Sequence, residues 1–332
     1  MKAWIIDRYG KGTLRCADVA EPQVQDHDVL VQVHAAGVNP LDAKIRNGEF
    51  KLLLPYRLPL ILGNELAGVV LRVGSAVRRF QPGDEVYGRP DARRIGTFAE
   101  RIAVHEADLA LKPGRLTMVE SASLPLVALT AWQALVDKAA VKPGDKVLIH
   151  AGSGGVGTVA IQLAKHLGAV VATTTSSTNI DLVRSLGADV VVDYRTDDFE
   201  SVLQDYDVAL NSLDARTLEK SLRVLKPGGR LISISGPPDP AFAQQAGFNW
   251  ALQQVMRFLS HRIRKAAASR QVSYSFLFMR ANGDQLREIG TLVDAGALRP
   301  VVDRVFPFAS TPDALACVEG GRVRGKAVVT LQ

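Results

Sequence analysis

The chain has 332 residues, of which 47% are apolar and 22% charged. This composition excludes a disordered chain, because so large an apolar fraction can bury a core. The length predicts two domains of about 150 residues each. The 40 Lys and Arg residues against 34 Asp and Glu residues give a formal net charge of +6, which leaves a nucleic acid, a membrane surface and a polyanionic small molecule open as partners.

The two cysteines, Cys16 and Cys317, lie near opposite ends of the chain. This separation argues against a disulfide scaffold and against a thiolate zinc site. It indicates two small thiols in a reducing compartment. Residues 1–8 contain no apolar stretch of signal-peptide length, and no window approaches the ~20 apolar residues of a membrane span. We therefore expect a soluble cytoplasmic protein.

The first third of the chain is predicted to be rich in β-strand. Residues 29–35 and 66–73 are strand-like and contain many β-branched side chains. A Pro-Gly turn at 81–84 leads into a further strand at 85–88.

From Ser121 onward, predicted strands and helices alternate with short connections. Helices are predicted over 123–140, 156–167, 180–186 and 283–295. Strands are predicted over 146–150, 169–175, 189–192, 206–210, 230–235, 274–278 and 326–331. Near-continuous apolar strands that alternate with helices are typical of a parallel sheet covered on both faces.

A glycine-rich turn is the strongest chemical signal in the sequence. Residues 151–157 read Ala-Gly-Ser-Gly-Gly-Val-Gly, and this G-x-G-x-x-G motif follows a strand and opens a helix, as dinucleotide binding requires. Glycine allows a tight turn and a close approach to a pyrophosphate, while the N–H groups of the helix N-terminus face the phosphates. The expected cofactor contacts here are Gly152, Ser153, Gly154, Gly155, Val156 and Gly157. The alternative is a Gly-rich turn that binds nothing.

The segment after the second strand of this half favours NADP over NAD. An NAD-selective site usually has Asp or Glu about 20 residues after the turn, but no acidic residue lies between Asp145 and Asp181. Hydroxyl and amide side chains occupy 173–179 instead, and Arg184 follows as a source of charge. The candidate contacts to a 2′-phosphate are Ser176, Ser177, Asn179 and Tyr194. An alternative is that these polar residues cap the next helix, and both roles can hold together.

Four segments carry a family resemblance. They are residues 35–42 (Ala-Ala-Gly-Val-Asn-Pro-Leu-Asp), 63–70 (Gly-Asn-Glu-Leu-Ala-Gly-Val-Val), 142–157 and 325–329 (Gly-Lys-Ala-Val-Val). Together they resemble the medium-chain dehydrogenase/reductase superfamily and, within it, the zinc-free quinone oxidoreductases. The Asn-Pro-x-Asp-x-Lys pattern of residues 39–44 is similar to the branch of chloroplast-envelope quinone oxidoreductases and enone reductases.

The resemblance implies an α/β protein with a GroES-like β-rich catalytic domain and a Rossmann domain with a doubly wound parallel sheet. The expected GroES-like domain comprises residues 1–123 and 283–332, and the NADP-binding Rossmann domain residues 124–282. The cofactor is expected in the cleft between them. Subunits of such enzymes commonly pair through the last Rossmann strand, here near 274–278, so a homodimer is expected.

The resemblance also implies that no metal is bound. Zinc-dependent members carry Gly-His-Glu where this chain has Asn64, and an amide is a poor zinc ligand compared with imidazole. The cysteine ligand expected near residues 39–43 is absent too, and the six histidines show no ligand spacing. We therefore predict neither a catalytic nor a structural zinc.

Without a metal, the chemistry expected is hydride transfer to an acceptor that is already electrophilic. NADPH would donate hydride to a quinone or an α,β-unsaturated carbonyl, and the resulting oxyanion then needs a hydrogen-bond donor and a proton. By family position, Asn39 and Lys44 lie near the nicotinamide, with Asp42 beside them. Tyr56 is the candidate proton donor or relay, and the alternative is a tyrosine packed under a loop.

Further cofactor contacts follow from family position and from the rule that ligands sit at strand carboxyl ends. They are Thr130, Asn211, Leu213, Ser235, Phe276, Phe278 and Lys326. For the two phenylalanines, plain core packing is an equal alternative.

Most of the basic excess falls in one segment. Residues 256–270 contain five cationic side chains and no acid, and apolar residues at helical spacing predict an amphipathic basic helix. A solvated helix face, a membrane-surface contact and a helix at the edge of the cleft are the open interpretations. Over the rest of the chain the numbers of positive and negative side chains are nearly equal, so we expect no nucleic-acid partner.

Two classes of function remain open at this stage. One is an NADPH-dependent quinone or enone reductase, which could also act on another activated alkene. The other is a crystallin-like or RNA-binding relative that retains the cofactor and not the reaction.

Overall fold

The computed structural model describes residues 1–51 and 53–331. It divides the chain into two compact units, Met1–Leu129 together with Arg280–Gln332, and Thr130–Met279. The prediction had placed these boundaries after residues 123 and 282. The first boundary differs because the helix Pro125–Trp132, predicted as wholly part of the second domain, begins in the first unit and continues into the second.

The strands alternate with helices mainly in the second half of the chain. The strands are β1 (Lys2–Ile6), β2 (Leu14–Asp18), β3 (Asp28–Val38), β4 (Leu60–Ile61), β5 (Leu66–Val73), β6 (Glu85–Gly88), β7 (Arg101–His105), β8 (Leu109–Leu111), β9 (Lys146–Ile149), β10 (Val170–Thr175), β11 (Val190–Asp193), β12 (Tyr206–Asn211), β13 (Leu225–Ser233), β14 (Ser273–Phe276), β15 (Val302–Pro307) and β16 (Lys326–Thr330). The helices are α1 (Pro40–Asn47), α2 (Met118–Ala122), α3 (Pro125–Trp132), α4 (Gly155–His166), α5 (Ile180–Ser185), α6 (Phe199–Val202), α7 (Ala215–Val224), α8 (Pro240–Gln245), α9 (Trp250–Leu259), α10 (His261–Ala268), α11 (Gly283–Asp294) and α12 (Thr311–Glu319).

The first unit is built on two sheets. The smaller has the order β2-β1-β4, and the larger has the order β15-β16-β3-β5-β6-β8, with β7 paired to β3. Strand β16 runs antiparallel to β3, with Ala327 opposite Val38, so the carboxyl-terminal segment completes a sheet begun near the amino terminus. Val29, Val31 and Val33 share one face of β3 and lie in the main core of this unit, and Leu30 on the opposite face is buried as well.

The second unit contains a parallel sheet with the order β11-β10-β9-β12-β13-β14. Every neighbouring pair in it is parallel. In chain order this is 3-2-1-4-5-6, the doubly wound order, which places a ligand crevice at the carboxyl ends of the strands where the order reverses. That point lies between β9 and β12. The near-continuous apolar sequence of β9 reflects burial, because Val147, Leu148 and Ile149 are all inaccessible.

Several predicted elements differ from those observed. The helix predicted over 123–140 is α3 followed by a π-helical stretch at Gln133–Lys138. The strand predicted over 274–278 ends at Phe276, so Phe278 lies beyond it. The single basic helix is two helices, α9 and α10, that meet at Ser260. Strand β15 and helix α12 were not predicted. The strand is largely exposed and lacks apolar alternation, so its sequence does not mark it as a strand.

Within the described residues, no helix combines the length and the apolarity needed to cross a bilayer.

His150 follows β9 directly and is buried in the second unit. Its Nδ1 lies 3.1 Å from Thr174 Oγ1 and its Nε2 lies 2.9 Å from Ser221 Oγ, while its ring meets the ring of Phe199 edge-on at 4.7 Å. Burial lowers the pKa of His150 to about 4. The imidazole is therefore neutral and hydrogen-bonded at neutral pH.

We expect this histidine to make the fold sensitive to acid. An unfolded histidine takes up a proton near pH 6.5, so between pH 6.5 and 4 the unfolded state binds more protons, and stability falls as the pH falls. From pH 7 to 4.5, wild-type protein should lose about 2 to 3 kcal/mol more unfolding free energy than His150→Gln, measured by urea unfolding. The exposed His166→Gln variant is the control, and equal losses in wild type and His150→Gln would contradict the expectation.

Candidate functional site

The glycine-rich turn joins β9 to α4 at the switch point of the parallel sheet. Ala151 adopts a left-handed backbone conformation with φ of 52°, and Gly152 N–H donates to Thr174 O at 3.0 Å. Gly154 stands at the N-cap of α4 and provides no side-chain cap. The N–H groups of the first turn of α4 are therefore left to a ligand, and an anion is the ligand that the helix terminus favours.

The three glycines of the motif serve different purposes. A Cβ at Gly152 would lie 2.1 Å from Thr173 Oγ1, and one at Gly157 would lie 2.3 Å from Ala151 O, so protein packing requires both glycines. A Cβ at Gly154 would meet only Ala151 O, at 3.3 Å. The open side of Gly154 is thus the place where the backbone of the turn can approach a pyrophosphate.

A cluster of hydroxyl and amide groups lies at the carboxyl end of β10. Ser153 Oγ accepts hydrogen bonds from Thr175 Oγ1 and from Asn179 Nδ2, both at 3.1 Å, and Asn179 Nδ2 also lies 3.2 Å from Ser176 Oγ. Among the described residues, Asn179 Oδ1 is buried without a partner. Neither Asn179 nor Ser176 makes a side-chain capping bond. The helix-capping alternative is therefore wrong for these two residues. Ser176 Oγ also lies 3.0 Å from Thr178 Oγ1, so Asn179 Oδ1 is the polar atom of this pair that is left for a ligand among the described residues.

Tyr194 lies beside this cluster, because its N–H donates to Thr175 O at 3.1 Å. Its ring is 60% exposed, and the guanidinium of Arg195 lies 6.0 Å from the ring centroid. Arg195 is a cation that sequence analysis missed, although its position next to Tyr194 was visible. Ser177 is exposed in the turn that follows β10, and Arg184 is exposed on α5.

A second polar group of the same sheet edge centres on Asn211, at the end of β12. Asn211 Oδ1 accepts from Ser233 Oγ at 3.2 Å and lies 3.1 Å from Ser235 Oγ, which also donates to Leu213 O at 2.5 Å. Asn211 is inaccessible, and among the described residues its Nδ2 has no partner. The hydroxyls of Ser233 and Ser235 thus fix the orientation of the Asn211 amide, and its Nδ2 points away from them. In this orientation Nδ2 can donate to a carbonyl or hydroxyl oxygen of a ligand.

The remaining predicted contacts of the second unit are placed as follows. Thr130 lies buried on α3. The rings of Phe276 and Phe278 lie 5.0 Å and 6.2 Å from the ring of Phe242 on α8, so both phenylalanines have the packing role that the sequence left open. Their contact with a cofactor stays a prediction.

The first unit holds a buried ion pair made by three predicted segments. Lys326 Nζ lies 2.6 Å from Glu65 Oε1, 2.6 Å from Asn39 Oδ1 and 3.1 Å from Val38 O. Asn39 Nδ2 donates to the same Glu65 oxygen at 2.7 Å, and Glu65 Oε2 accepts from Leu126 N–H at 2.8 Å. Sequence analysis assigned Lys326 to the cofactor, but an ammonium has three donors, and all three here are directed at protein acceptors.

Asp42 and Asn64 extend this network. Asn64 Nδ2 donates to Asp42 Oδ1 at 2.6 Å, and Asn39 N–H donates to Asp42 Oδ2 at 2.7 Å. Burial raises the pKa of Asp42 to about 6, and the hydrogen bonds from Asn64 and Asn39 limit the rise. Among the described residues, Asn64 Oδ1 has no partner, and no group of three or more His, Cys, Asp or Glu side chains could hold a metal ion.

The other two candidate catalytic residues lie outside the hydrogen bonds of this network. Tyr56 OH donates to Ala92 O at 2.6 Å, and burial raises the pKa of Tyr56. Lys44 is exposed on α1. Sequence analysis missed Arg89, which is fully buried with Nη1 on Pro90 O at 2.6 Å and, among the described residues, Nε without a partner. Nothing in the sequence signals a buried arginine there.

Comparisons with known proteins agree with this architecture. The profile of the alcohol dehydrogenase GroES-like domain matches residues 25–114, and that of the zinc-binding dehydrogenase family matches residues 186–329. The mitochondrial NAD(P)H oxidoreductase RTN4IP1 of Danio rerio is 36% identical, over 100% of this chain and 91% of its own. The chloroplastic NADPH-dependent alkenal/one oxidoreductase of Arabidopsis thaliana is 34% identical, over 99% of this chain and 79% of its own.

A solved structure is similar over the whole length as well. The quinone oxidoreductase of Coxiella burnetii has a TM-score of 0.87 at 31% identity and covers 100% of this chain and 99% of its own. A GroES-like unit assembled from both ends of the chain, together with a doubly wound sheet that carries a glycine-rich turn, defines a two-domain oxidoreductase that uses a dinucleotide. The chain belongs to the medium-chain dehydrogenase/reductase superfamily, in its quinone oxidoreductase branch.

The geometry of the turn predicts different results for two glycine-to-alanine substitutions. Gly154→Ala adds a methyl group on the open side, so the unfolding midpoint should stay near that of wild type while the NADPH dissociation constant rises about tenfold or more. Gly157→Ala forces a methyl group against Ala151 O and should lower stability by roughly 1 to 3 kcal/mol. Fluorescence titration and urea unfolding measure the two effects. A Gly154→Ala protein that binds NADPH as tightly as wild type would contradict the assignment.

Proposed function

We propose that the protein is an NADPH-dependent reductase that transfers hydride to a quinone or an α,β-unsaturated carbonyl without a metal. The observation that most directly supports NADPH as the cofactor is the glycine-rich turn together with the end of β10, which presents hydroxyl and amide groups and no carboxylate. A relative named as an NADPH-dependent alkenal/one oxidoreductase and a similar structure named as a quinone oxidoreductase support the proposed acceptors.

The residues of the second unit fit NADPH. The open side of Gly154 admits the pyrophosphate, and the hydroxyls of Ser153 and Ser176, both of which accept from Asn179 Nδ2, offer donors to the 2′-phosphate. The unpaired Asn211 Nδ2 is a donor for the nicotinamide end. When bound, NADPH supplies the hydride, and the protein supplies orientation and a place for the developing negative charge.

We propose that a side chain of the first unit supplies the proton that the reduced acceptor needs. Tyr56 remains the candidate donor or relay, and donation to a substrate oxygen would replace its hydrogen bond to Ala92 O. Asn39 has both of its side-chain polar atoms bonded to the buried ion pair, so its proposed role is to hold α1 in place. Lys44 is exposed and stays a candidate without a contact that supports it.

The test is oxidation of NADPH, followed by its absorbance, with 1,4-benzoquinone and with 3-buten-2-one as acceptors. We expect turnover with at least one acceptor and a higher kcat/KM with NADPH than with NADH. Ser176→Asp should lower kcat/KM for NADPH about tenfold or more and affect NADH less, because the new carboxylate repels the 2′-phosphate. Ser185→Asp makes the same charge change at the end of α5 and is the matched control.

Two outcomes would contradict the proposal. Tight NADPH binding without turnover of either acceptor would favour the alternative of a crystallin-like or RNA-binding relative that retains only the cofactor. Equal loss of NADPH and NADH activity in Ser176→Asp would place the 2′-phosphate elsewhere.

We also propose that the protein is a homodimer paired through β14. This strand is the edge of the parallel sheet, and an edge strand presents backbone groups that a second copy can pair with. Asp239 Oδ2 accepts from Phe276 N–H at 2.9 Å, so pairing is expected on the Ser273 side of the strand. Sedimentation velocity should give twice the mass of the chain at micromolar concentration, and a monomer at that concentration would contradict the proposal.

A further inference from the structure

The whole formal charge excess of the chain lies in one stretch of the sequence. Residues 240–283 contain Arg257, Arg262, Arg264, Lys265, Arg270 and Arg280 and no Asp or Glu. The rest of the chain then has 34 Lys and Arg residues against 34 Asp and Glu residues and no net charge. Five of these six cations lie in the connection between β13 and β14, which includes α9 and α10, and Arg280 follows β14.

Helix α9 turns large apolar side chains outward. Trp250 is 75% exposed and Phe258 is 81% exposed, and Val255 and Leu259 are each more than half exposed. Only Met256 of this helix is fully buried. At about 100° per residue, Trp250, Phe258, Val255 and Leu259 follow one another around about half of the helix circumference, on the side away from the buried Met256. We call these four exposed apolar side chains the α9 face. Monomeric soluble proteins rarely expose such a face without a use for it.

Exposed cationic side chains lie on α9 and on the α10 segment that follows it in the chain. Within the described residues, no carboxylate lies within 4 Å of Arg257, Lys265 or Arg270, so these three charges are not neutralised by ion pairs. Arg264 donates to Ser260 Oγ and to Arg257 O. Arg262 is the exception, since it lies 3.0 Å from Glu219 Oε1. Ile263 and Ala267 of helix α10 are buried in the core of this unit. The helix that carries Lys265 is therefore anchored to the rest of the unit.

The chemistry of this surface points to a lipid bilayer and not to the other classes of partner. A second copy seated on the α9 face would bring Arg257 and Lys265 of both copies together, and like charges oppose such a contact. Single-stranded RNA can stack on Trp250 and Phe258, but the aliphatic Val255 and Leu259 gain nothing from bases. Exposed Trp, Phe and Leu side chains beside Lys and Arg are the composition of helices that lie in the headgroup region of an anionic membrane.

We propose that α9 and α10 dock the protein on the surface of membranes that contain anionic lipid. The α9 face, with Trp250 and Phe258, enters the boundary between headgroups and acyl chains. Arg257, Lys265 and Arg270 lie over the lipid phosphates. The contact is peripheral and reversible, and it stands independently of the catalytic proposal, because it uses none of the residues assigned to the cofactor or to proton transfer.

The experiment is co-sedimentation of the full-length protein with vesicles of phosphatidylcholine alone and with vesicles that contain about a third phosphatidylglycerol. We expect binding to the anionic vesicles that falls about tenfold or more when salt is raised from roughly 50 to 500 mM, and little binding to neutral vesicles. Lys265→Glu/Arg270→Glu and Trp250→Ser/Phe258→Ser should each lower binding about tenfold or more, with solution NADPH affinity unchanged.

Matched controls separate the surface from general effects. Arg8→Glu/Lys11→Glu makes the same charge change at exposed residues of the first unit, and Leu111→Ser/Val202→Ser removes two exposed apolar side chains elsewhere. Both controls should bind vesicles like wild type. No sedimentation with anionic vesicles would overturn the proposal, as would equal losses in test and control variants. Oligomers that dissociate in Trp250→Ser/Phe258→Ser would assign the face to a second copy, and tighter binding to polyuridylate than to vesicles would assign it to RNA.

Discussion

The buried ion pair of Lys326 and Glu65 holds the first unit together. Only 5% of the Lys326 side chain and none of the Glu65 side chain is exposed. Burying such a pair costs desolvation free energy that is recovered only when every polar atom finds a partner. Here the ammonium makes three contacts, and both carboxylate oxygens accept hydrogen bonds. The pair ties the last strand of the chain to β3 and to the residues that precede β5.

This constraint explains why several short segments of the sequence go together. Gly37 must lack a Cβ, because one would lie 2.4 Å from Glu65 Oε1. Asn39 follows at the end of β3 and bridges the two charges. Three of the four segments on which the family resemblance was based, 35–42, 63–70 and 325–329, therefore meet at one network. Their shared occurrence in the sequence reflects one hydrogen-bonded arrangement, which a change in any segment would leave with an unpaired buried group.

The sequence predicted best what is encoded locally. The glycine-rich turn, the alternation of strand and helix and the absence of a carboxylate after β10 each depend on a few neighbouring residues, and the parallel sheet has the predicted doubly wound arrangement. The ion-pair network joins Lys326 to residues about 260 positions earlier, and no local pattern encodes that proximity. Lys326 was for this reason assigned to the cofactor. Arg89 was missed on the same grounds, since its burial is decided by loops distant in sequence.

Helix α9 shows a different limit. Its apolar residues recur at helical spacing, which predicts a helix, but they occupy much of its circumference. Periodicity identifies a buried face only where the opposite face is polar. Val255 and Leu259 belong to this apolar repeat, and both are more than half exposed, while Met256 is buried. Only the three-dimensional structure determines which side of such a helix remains available to a partner.

Both units leave buried polar atoms without a partner among the described residues, and Asn64 Oδ1 and Arg89 Nε are such atoms in the first unit. In the first unit, the buried carboxylates and the ammonium satisfy one another, which fixes a scaffold and leaves Asp42 with a raised pKa of about 6. In the second unit, Asn211 Nδ2 and Asn179 Oδ1, at the ends of β12 and β10, have no partner among the described residues. An unpaired buried polar group costs free energy in the free protein. A ligand that pairs with it recovers that free energy, so these two amides support the proposal that the cofactor binds at this sheet edge.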